Sequence, residues 1–186
     1  QDPEVRRPGR RTRGGTHVKD SLVLIGMPGS GKSTIGVLLA KTLCMRFIDT
    51  DLVIQEREGR PLQRIIAEDG LEGFLSRERD AILSIDPVRC VVATGGSAVL
   101  IPEAMEHLHT WGYVVFIDVP IHRLERRIRN IRTRGIVLAP GQTLRDVESI
   151  RKPHYLRQAD LVLPVGRQRP EQVVDRIVAA YRRRTR

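Results

Sequence analysis

Length, composition and charge together exclude several classes of protein. The 186 residues are 40% hydrophobic and 29% charged, and no apolar run approaches the roughly 20 residues that cross a bilayer, so we expect one cytoplasmic, monomeric globular domain without a secretory signal or membrane contact. The net charge of +10 lies mostly at the two ends of the chain, and only 4% of the residues are aromatic, which argues against nucleic acid as the main partner.

The chain begins with a basic segment that has few apolar residues. Residues 1–20 hold six Lys or Arg and three Asp or Glu, and they cannot bury enough apolar surface to order themselves. We therefore predict a flexible extension over residues 1–20, a folded domain over residues 21–182 and a basic tail over residues 183–186.

From Ser21 onward, short apolar runs alternate with helical patterns. The apolar runs predict strands at residues 22–25, 47–51, 90–93, 113–119 and 161–163. Helices are predicted at residues 32–45, in pieces over 52–84, and at 102–110, 122–132, 144–158 and 170–181. Pro153 should kink or divide the helix that contains it. Strands that alternate with helices favour an α/β fold whose parallel sheet is covered on both faces.

The turn between the first strand and the first helix carries the most specific signal. Gly26-Met27-Pro28-Gly29-Ser30-Gly31-Lys32-Ser33-Thr34 fits the phosphate-binding pattern G-x-x-x-x-G-K-[ST]. In such a loop, glycines let backbone N–H groups point at an anion, and the helix N-terminus adds positive potential. Lys32 can reach the β- and γ-phosphates of a nucleotide, and Ser33 can ligate Mg²⁺. The candidate nucleotide-binding residues are Gly29, Ser30, Gly31, Lys32, Ser33 and Thr34.

Two carboxylates close the second predicted strand. Asp49 and Asp51 would project to the same side of a strand, at the carboxyl edge where open parallel sheets bind their ligands. Asp49 could hold Mg²⁺ through water, and Asp51 could bind an acceptor hydroxyl and take its proton. The alternative is that Asp51 is a helix N-cap.

A glycine pair follows the third predicted strand, in the sequence Thr94-Gly95-Gly96-Ser97. Paired glycines let a ligand approach the backbone closely, and a plain tight turn explains them equally well. Gly95, Gly96 and Ser97 are therefore candidate substrate-binding residues.

The helix predicted at residues 122–132 is rich in arginine. Its segment carries Arg123, Arg126, Arg127, Arg129, Arg132 and Arg134 before a loop with several Gly and Pro. Most charges on such a helix are solvated, yet phosphoryl transfer needs cations over the transferring group and exclusion of water. We expect one or two of the six arginines to act on the nucleotide from a mobile loop.

Together these motifs resemble the shikimate kinase family over roughly residues 21–181. The matching segments are, in chain order, G-M-P-G-S-G-K-S-T, F-I-D-T-D, G-L-E-G-F-L-S-R-E, A-T-G-G and R-K-P-H-Y-L-R-Q-A-D. The resemblance implies a P-loop NTPase-type α/β fold with a five-stranded parallel sheet, flanking helices and a mobile lid at about residues 132–143. It also implies ATP, Mg²⁺ and transfer of the γ-phosphoryl group to a hydroxyl of shikimate, giving shikimate 3-phosphate.

The resemblance assigns roles on the nucleotide side. Lys32 and Ser33 match the phosphate and Mg²⁺ positions, and Asp49 matches the metal-side aspartate. Arg134 resembles the lid arginine, and Arg127, seven residues earlier, resembles an arginine that packs on adenine.

The resemblance also assigns roles on the acceptor side. Asp51 matches the aspartate that binds the shikimate hydroxyls and acts as the base. Gly96 matches a substrate-binding glycine, and Arg151 resembles one of the arginines that bind the shikimate carboxylate. The implied catalytic set is therefore Asp51, Lys32 and Arg134.

Three departures from the family pattern fall on the acceptor side and the lid. Leu75 stands where the family has a second arginine for the substrate carboxylate, and Ser97 stands where it has a third glycine. The lid sequence also differs, after Arg134. Loss of a charge-assisted hydrogen bond should weaken binding by about 1.5–3 kcal/mol. Arg77 could replace it only from another side of the helix, because positions i and i+2 do not face the same way.

These departures leave three hypotheses. The first is a shikimate kinase with a rearranged carboxylate site. The second is a kinase of the same fold for another small alcohol or an amino or sugar acid, which Leu75 and Ser97 favour. The third is a non-catalytic nucleotide-binding regulatory or nucleic-acid-associated protein, supported by the basic ends. Retention of Lys32 and Asp51 argues against the third hypothesis, because a non-catalytic binder needs no base.

Overall fold

The computed structural model describes residues 5–6, 19–86, 88–128 and 141–184. In these residues five parallel strands form a continuous sheet, which confirms the predicted α/β architecture. The parallel strands are β2 (Ser21–Ile25), β3 (Arg46–Asp49), β4 (Cys90–Ala93), β5 (Gly112–Asp118) and β6 (Leu161–Pro164). A two-residue strand, β1 (Val5–Arg6), pairs antiparallel with β6, so the order across the sheet is β1-β6-β5-β2-β4-β3.

Helices join the strands in the order expected for parallel crossovers. The helices within the described ranges are α1 (Lys32–Leu43), α2 (Thr50–Glu58), α3 (Leu62–Leu83), α4 (Pro102–Trp111), α5 (Ile121–Arg127), α6 (Leu144–Gln158) and α7 (Pro170–Arg184). A short 3₁₀ turn, Ala98–Leu100, precedes α4. None of the helices in the described part of the chain is long and apolar enough to span a membrane.

The core sits on both faces of the sheet. Every residue of β2 and β4 is buried, as parallel strands covered on both faces require. Helix α1 packs against α7, and α3 packs against α4. Strand β2 has β5 on one side and β4 on the other, and at such a reversal of strand order an open sheet leaves a crevice beyond its carboxyl edge.

Several predicted boundaries differ from the structure. Helix α6 continues through Pro153 instead of dividing there, with a capping box at Thr143 and Asp146 fixing its first turn. Within the segment predicted to be helical in pieces, α3 has a kink at Gly70, where φ is 69°. Cys44, which follows α1, is exposed, whereas Cys90 is buried.

Parts of the predicted terminal segments and of the predicted lid lie outside the described residues. Strand β1 places a short β-pairing inside residues 1–20, the segment predicted to be a flexible extension. Most of the lid predicted at about residues 132–143 lies outside the described residues, as do Arg129, Arg132 and Arg134.

Candidate active site

A cleft of about 460 Å³ opens at the carboxyl edge of the sheet. Two groups of residues, which follow different strands, line it. The phosphate loop (residues 26–34) follows β2, and the acceptor turn (residues 94–97) follows β4. Helices α2, α3 and α6 contribute Asp51, Phe74 and Arg151 to the same lining. The cleft thus gathers Lys32, Asp51 and Arg151 in one place, whereas Ser30, Asp49 and Arg127 are not among its lining residues.

The phosphate loop takes backbone conformations that glycine favours. Gly29 and Gly31 have φ of 76° and 97°, and Gly26 has φ of 147°. A Cβ on Gly26 would lie 2.8 Å from the carbonyl oxygen of Ile117, closer than real side-chain carbons come. Because the loop leads directly into α1 at Lys32, free N–H groups of the first helical turn face the cleft, where an anion is stabilised.

Three further residues of the loop are positioned for a polar ligand. The Ser33 and Thr34 side chains are exposed at the cleft. The Ser30 hydroxyl is buried and has no hydrogen-bond partner among the described residues. A buried hydroxyl of this kind is costly unless a ligand or water bonds to it.

Lys32 is a buried ammonium in the lining of the cleft. Its Nζ donates hydrogen bonds to the backbone oxygens of Gly26 (2.8 Å) and Met27 (3.0 Å). Burial lowers the pKa of Lys32 to about 8, against the opposing charges of Asp51 and Asp49, which raise it. The side chain is therefore a cation held in the loop itself, near two carboxylates that favour its charge.

The structure corrects the predicted relation between the two aspartates. Strand β3 ends at Asp49 and α2 begins at Thr50, so Asp49 and Asp51 do not share one face of a strand. Asp49, not Asp51, is the N-cap: its carboxylate accepts a hydrogen bond from the Asp51 N–H at 3.0 Å. This leaves the Asp51 side chain free of the capping role and able to line the cleft.

Asp51 has the protonation behaviour of a group that can exchange protons near neutral pH. Its pKa is raised to about 6, first by burial and then by the charge of Asp49, while Lys32 lowers it. A carboxylate with such a pKa is a better proton acceptor than an exposed one and is still ionised at neutral pH.

The acceptor turn is packed so tightly that its glycines cannot carry side chains. The Gly95 N–H donates to the Thr50 hydroxyl at 2.9 Å, and a Cβ on Gly95 would collide with carboxylate oxygens of Asp51 and Glu78. A Cβ on Gly96 would lie 2.8 Å from the ring of Pro28. The glycine pair therefore brings the backbone against the phosphate loop and α2, and its role in substrate binding stays a prediction.

Arg151 supplies a buried cation to the acceptor side. It is 5% exposed on α6 and its Nη1 would lie 3.1 Å from a Cβ on Gly96. One turn further along α6, the Tyr155 hydroxyl donates to the Gly96 carbonyl at 2.6 Å, and the Tyr155 ring stacks on Phe116. These contacts fix α6 against the acceptor turn, so that Arg151 faces the cleft.

Glu78 is a functional candidate that sequence reasoning missed. It is fully buried on α3, and one of its oxygens accepts a hydrogen bond of 2.6 Å from the Ser97 hydroxyl. Burial raises its pKa to about 7, while the Ser97 hydrogen bond opposes that shift. The available signal was its position four residues after Phe74, which places a charged residue on the buried face of the helix.

Comparison with known proteins shows which family the chain resembles. The family model described as shikimate kinase matches residues 28–182. The shikimate kinases of Haemophilus influenzae and Synechococcus elongatus are 36% and 38% identical, over 86% and 84% of this chain and 91% and 84% of their own. A solved shikimate kinase from Acinetobacter baumannii in complex with shikimate superposes with a TM-score of 0.78 at 28% identity, covering 86% of this chain and 91% of that one.

The chain belongs to the shikimate kinase family. It is therefore a phosphotransferase that uses ATP as the phosphate donor and an alcohol group as the acceptor. This membership confirms the P-loop kinase fold and leaves the non-catalytic hypothesis without support.

Leu75 and Arg77 show how this family member departs from the expected pattern. Leu75 is absent from the cleft lining and packs against the hydrophobic core, whereas Phe74 lines the cleft. Arg77 forms ion pairs with Glu58 (2.8 Å) and Asp69 (3.0 Å). Arg77 is thus engaged between α2 and α3, which argues against its replacing the expected carboxylate-binding arginine.

Some of the remaining candidate arginines for the nucleotide lie within the described residues, and others lie outside them. Arg127, at the end of α5, donates to the Gly29 carbonyl at 3.2 Å and so lies beside the phosphate loop. Arg123 instead donates to the Gly166 carbonyl and serves the packing of α5. Arg134 is outside the described residues, and its lid role stays a prediction.

We expect Glu78 to make the protein less stable as pH rises. Its folded pKa of about 7 lies above the ordinary value of 4.5, so between these pH values the unfolded chain releases a proton that the folded protein retains. Stability falls across that window, by up to about 3 kcal/mol for a shift of this size. Below pH 4.5 Glu78 is protonated in both the folded and the unfolded protein, so it no longer makes the free energy of unfolding depend on pH.

Glu78→Gln removes this titration and keeps an oxygen for Ser97. Urea unfolding at pH 4.5 and pH 8 should show that the wild type loses about 1–3 kcal/mol more stability than Glu78→Gln over that range. Glu72→Gln, on an exposed site of the same helix, is the matched control and should follow the wild type. Parallel pH curves for Glu78→Gln and the wild type would show that the Glu78 pKa is not raised in the folded protein.

Proposed function

We propose that this protein transfers the γ-phosphoryl group of ATP to a hydroxyl of shikimate, giving shikimate 3-phosphate. The observation that carries the proposal is that one cleft is lined by the carboxylate Asp51 and by two cations, Lys32 and Arg151. Lys32 lies on the phosphate-loop side and Arg151 on the acceptor side. A substrate with a hydroxyl at one end and a carboxylate at the other matches this arrangement of base and cation.

On the donor side, the backbone N–H groups of the phosphate loop and Lys32 bind the phosphates. Lys32 can exchange its bonds to Gly26 and Met27 for bonds to the β- and γ-phosphate oxygens, where negative charge accumulates during transfer. Ser30 gains a partner for its buried hydroxyl, and Arg127 offers its planar guanidinium for adenine from beside Gly29.

Mg²⁺ fits the donor set that Ser33 and Asp49 offer. A hydroxyl and a carboxylate are the hard oxygen ligands that Mg²⁺ prefers, and the ion keeps several waters and substrate phosphates in its shell. The described residues contain no cluster of three or more His, Cys, Asp or Glu for an all-protein metal site. Ser33 and Asp49 would hold the ion, which would supply positive charge against the phosphates.

On the acceptor side, Asp51 orients the attacking hydroxyl and accepts its proton. As the new O–P bond forms, the bond between the γ-phosphorus and the β–γ bridging oxygen breaks, and ADP carries away that electron pair. Arg151 binds the carboxylate, and the backbone of Gly95 and Gly96 borders the substrate. The proposal includes a lid at about residues 132–143. From this lid, Arg134 would supply a further cation over the transferring group.

A second candidate acceptor rests on Leu75. Because Leu75 packs into the core and Arg77 is paired elsewhere, Arg151 is the arginine that the described cleft lining contains. A single cation on the acceptor side suits a less acidic acceptor, such as another small alcohol or an amino or sugar acid, as well as it suits shikimate.

The monomeric state and the cytoplasmic location of the protein also stay predictions.

ATP consumption by the purified protein with Mg²⁺ tests the proposal. Shikimate should stimulate ADP formation strongly, and a ³¹P spectrum should show one new phosphate monoester. A panel of hydroxy acids and homoserine, at the same concentrations, serves as the comparison. Stimulation by another alcohol but not by shikimate would replace the first acceptor with the second candidate, while no stimulation by any alcohol would overturn the acceptor assignment.

A further inference from the structure

Tyr155 is a fully buried polar residue between the sheet and the acceptor turn. Its ring stacks on Phe116 of β5, with the ring centres 5.0 Å apart and the planes inclined by 21°. Phe116 pairs in register with Ile25, the last residue of β2 before the phosphate loop. The Tyr155 ring is therefore held by the same part of the sheet that carries the phosphate loop.

The Tyr155 hydroxyl joins two groups of the cleft lining. It donates to the Gly96 carbonyl at 2.6 Å and accepts a hydrogen bond from the side chain of Arg151, which lies one turn earlier on α6. Gly96 and Arg151 both line the cleft. A guanidinium only donates and a carbonyl only accepts, so they cannot bond to each other, and a hydroxyl links them because it does both. Hydrogen bonds in such a chain strengthen one another.

The surroundings of Tyr155 keep its hydroxyl protonated. Burial raises the pKa of Tyr155 well above its usual range, and the charge of Arg151 opposes that shift. The hydroxyl is thus a donor to the Gly96 carbonyl across the whole neutral pH range. Without it, the carbonyl would lose a buried hydrogen bond, and the guanidinium would lose a contact that restricts its rotation.

Gly96 and Arg151 lie so close together that small shifts would change this part of the cleft. A Cβ on Gly96 would lie 3.1 Å from Arg151 Nη1, which is tighter than an ordinary van der Waals contact. Rotation of the Gly96 peptide, or of the guanidinium, would therefore alter the space that an acceptor meets between them. Groups that bind a ligand bind it more tightly when they are held in place beforehand.

We propose that Tyr155 is a positioning residue for the acceptor: its hydroxyl fixes the Arg151 guanidinium relative to the Gly96 backbone, so that both meet an acceptor that carries a carboxylate. Tyr155 acts through these two groups, because it is not itself among the residues that line the cleft. The inference rests on the proposed function for the identity of the acceptor. Its effect is large in this chain because Leu75 packs into the core and leaves Arg151 as the arginine of the described cleft lining.

The first test is Tyr155→Phe, which keeps the ring and removes the hydroxyl. The KM for shikimate should rise about tenfold, as expected for loss of a charge-assisted hydrogen bond, while kcat and the KM for ATP each change less than about threefold. Tyr181→Phe is the matched control. It removes a hydroxyl that donates to the Asp20 carbonyl at 2.8 Å, at the amino end of β2, so it should lower the melting temperature and leave the KM for shikimate unchanged.

An analogue of shikimate whose carboxylate is replaced by an uncharged amide identifies the group that Tyr155 acts on. With the wild type, kcat/KM for the amide should lie about 30-fold below that for shikimate. With Tyr155→Phe the difference should shrink to about threefold, because a guanidinium that is no longer held gains less from the carboxylate. Equal ratios in both proteins, or an unchanged KM for shikimate in Tyr155→Phe, would overturn the role of Tyr155.

NMR without substrate separates this inference from the proposed function. In the wild type, the guanidinium protons of Arg151 should exchange with water about tenfold more slowly than those of Arg126, which is exposed. In Tyr155→Phe they should exchange faster, and the ¹³C signal of the Gly96 carbonyl should move upfield. Wild-type exchange at Arg151 as fast as at Arg126, or the same Gly96 signal in both proteins, would overturn the inference. A wild type that ignores shikimate overturns the proposed function instead, and the NMR comparison still decides whether Tyr155 holds Arg151 and Gly96.

Discussion

Asp51→Asn should lower kcat by about 100-fold or more while the affinity for ATP stays nearly unchanged. Asparagine has nearly the shape of aspartate and can still accept a hydrogen bond from the acceptor hydroxyl. It cannot take the proton that the hydroxyl must lose. The pKa of Asp51, raised to about 6 by burial and by Asp49, makes the natural carboxylate a suitable acceptor for that proton at neutral pH.

ATP binding should survive because the groups that hold the nucleotide lie in another part of the cleft. The phosphate loop and the first turn of α1 keep their geometry without Asp51, since Asp49 is the residue that caps α2. Isothermal titration with a non-hydrolysable ATP analogue measures that affinity, and pre-steady-state phosphate transfer measures the chemical step.

A control variant and two contrary outcomes make the Asp51 prediction decisive. Asp175→Asn, an exposed aspartate on α7, has the same chemical change and should leave turnover as in the wild type. Near-normal kcat in Asp51→Asn would remove Asp51 from the role of base. A large loss of ATP affinity in the same variant would place its main effect on the nucleotide and not on the acceptor.

The parts of the site that the sequence predicts well are those set by neighbouring residues. The strand, glycine loop and helix around Lys32 follow one another along the chain, so local pattern and spacing suffice to place them. The spatial relation between Asp49 and Asp51 is harder to predict. Asp51 lines the cleft, but a helix that starts at Thr50 changes the relation of the two residues from neighbours on a strand to N-cap and first turn. A side chain–backbone hydrogen bond ends the strand two residues earlier than predicted.

The parts that the sequence does not reveal depend on contacts between distant elements. Glu78 is the last residue of the segment G-L-E-G-F-L-S-R-E, but only the structure shows its hydrogen bond from Ser97, between α3 and the acceptor turn. Leu75 and Arg77 are similar in this respect: the departure was visible in the sequence, yet only packing shows that Leu75 joins the core and that Arg77 pairs with Glu58. Tertiary environment decides which polar residues of one helix face the cleft.

Lys32→Met is expected to lower kcat/KM by roughly 100- to 1,000-fold. Methionine keeps much of the apolar stem of lysine and removes the ammonium, so the change is mainly electrostatic. In the wild type that ammonium is held by Gly26 and Met27 inside the loop, close to where phosphate charge develops. A fixed charge in a desolvated site stabilises a transition state more than a solvated charge does.

Lys32→Arg is the matched control, because it keeps the positive charge but changes its shape. It should recover part of the ATP affinity and little of the rate, since a planar fork cannot occupy the position of a compact ammonium. Circular dichroism and thermal unfolding establish that each variant is folded. Single-turnover kinetics with ATP and shikimate then separate the chemical step from product release.

The losses of activity caused by substituting Lys32 and Asp51 should not be independent of each other. Lys32 lowers the pKa of Asp51, and Asp51 raises that of Lys32, so each group stabilises the charged form of the other across the cleft. Removing the ammonium raises the Asp51 pKa and reduces the ionised base at neutral pH. Lys32→Met combined with Asp51→Asn should therefore cost less than the product of the two single losses. Multiplicative losses would mean that the cation and the base act on the reaction separately, one on the phosphates and the other on the hydroxyl.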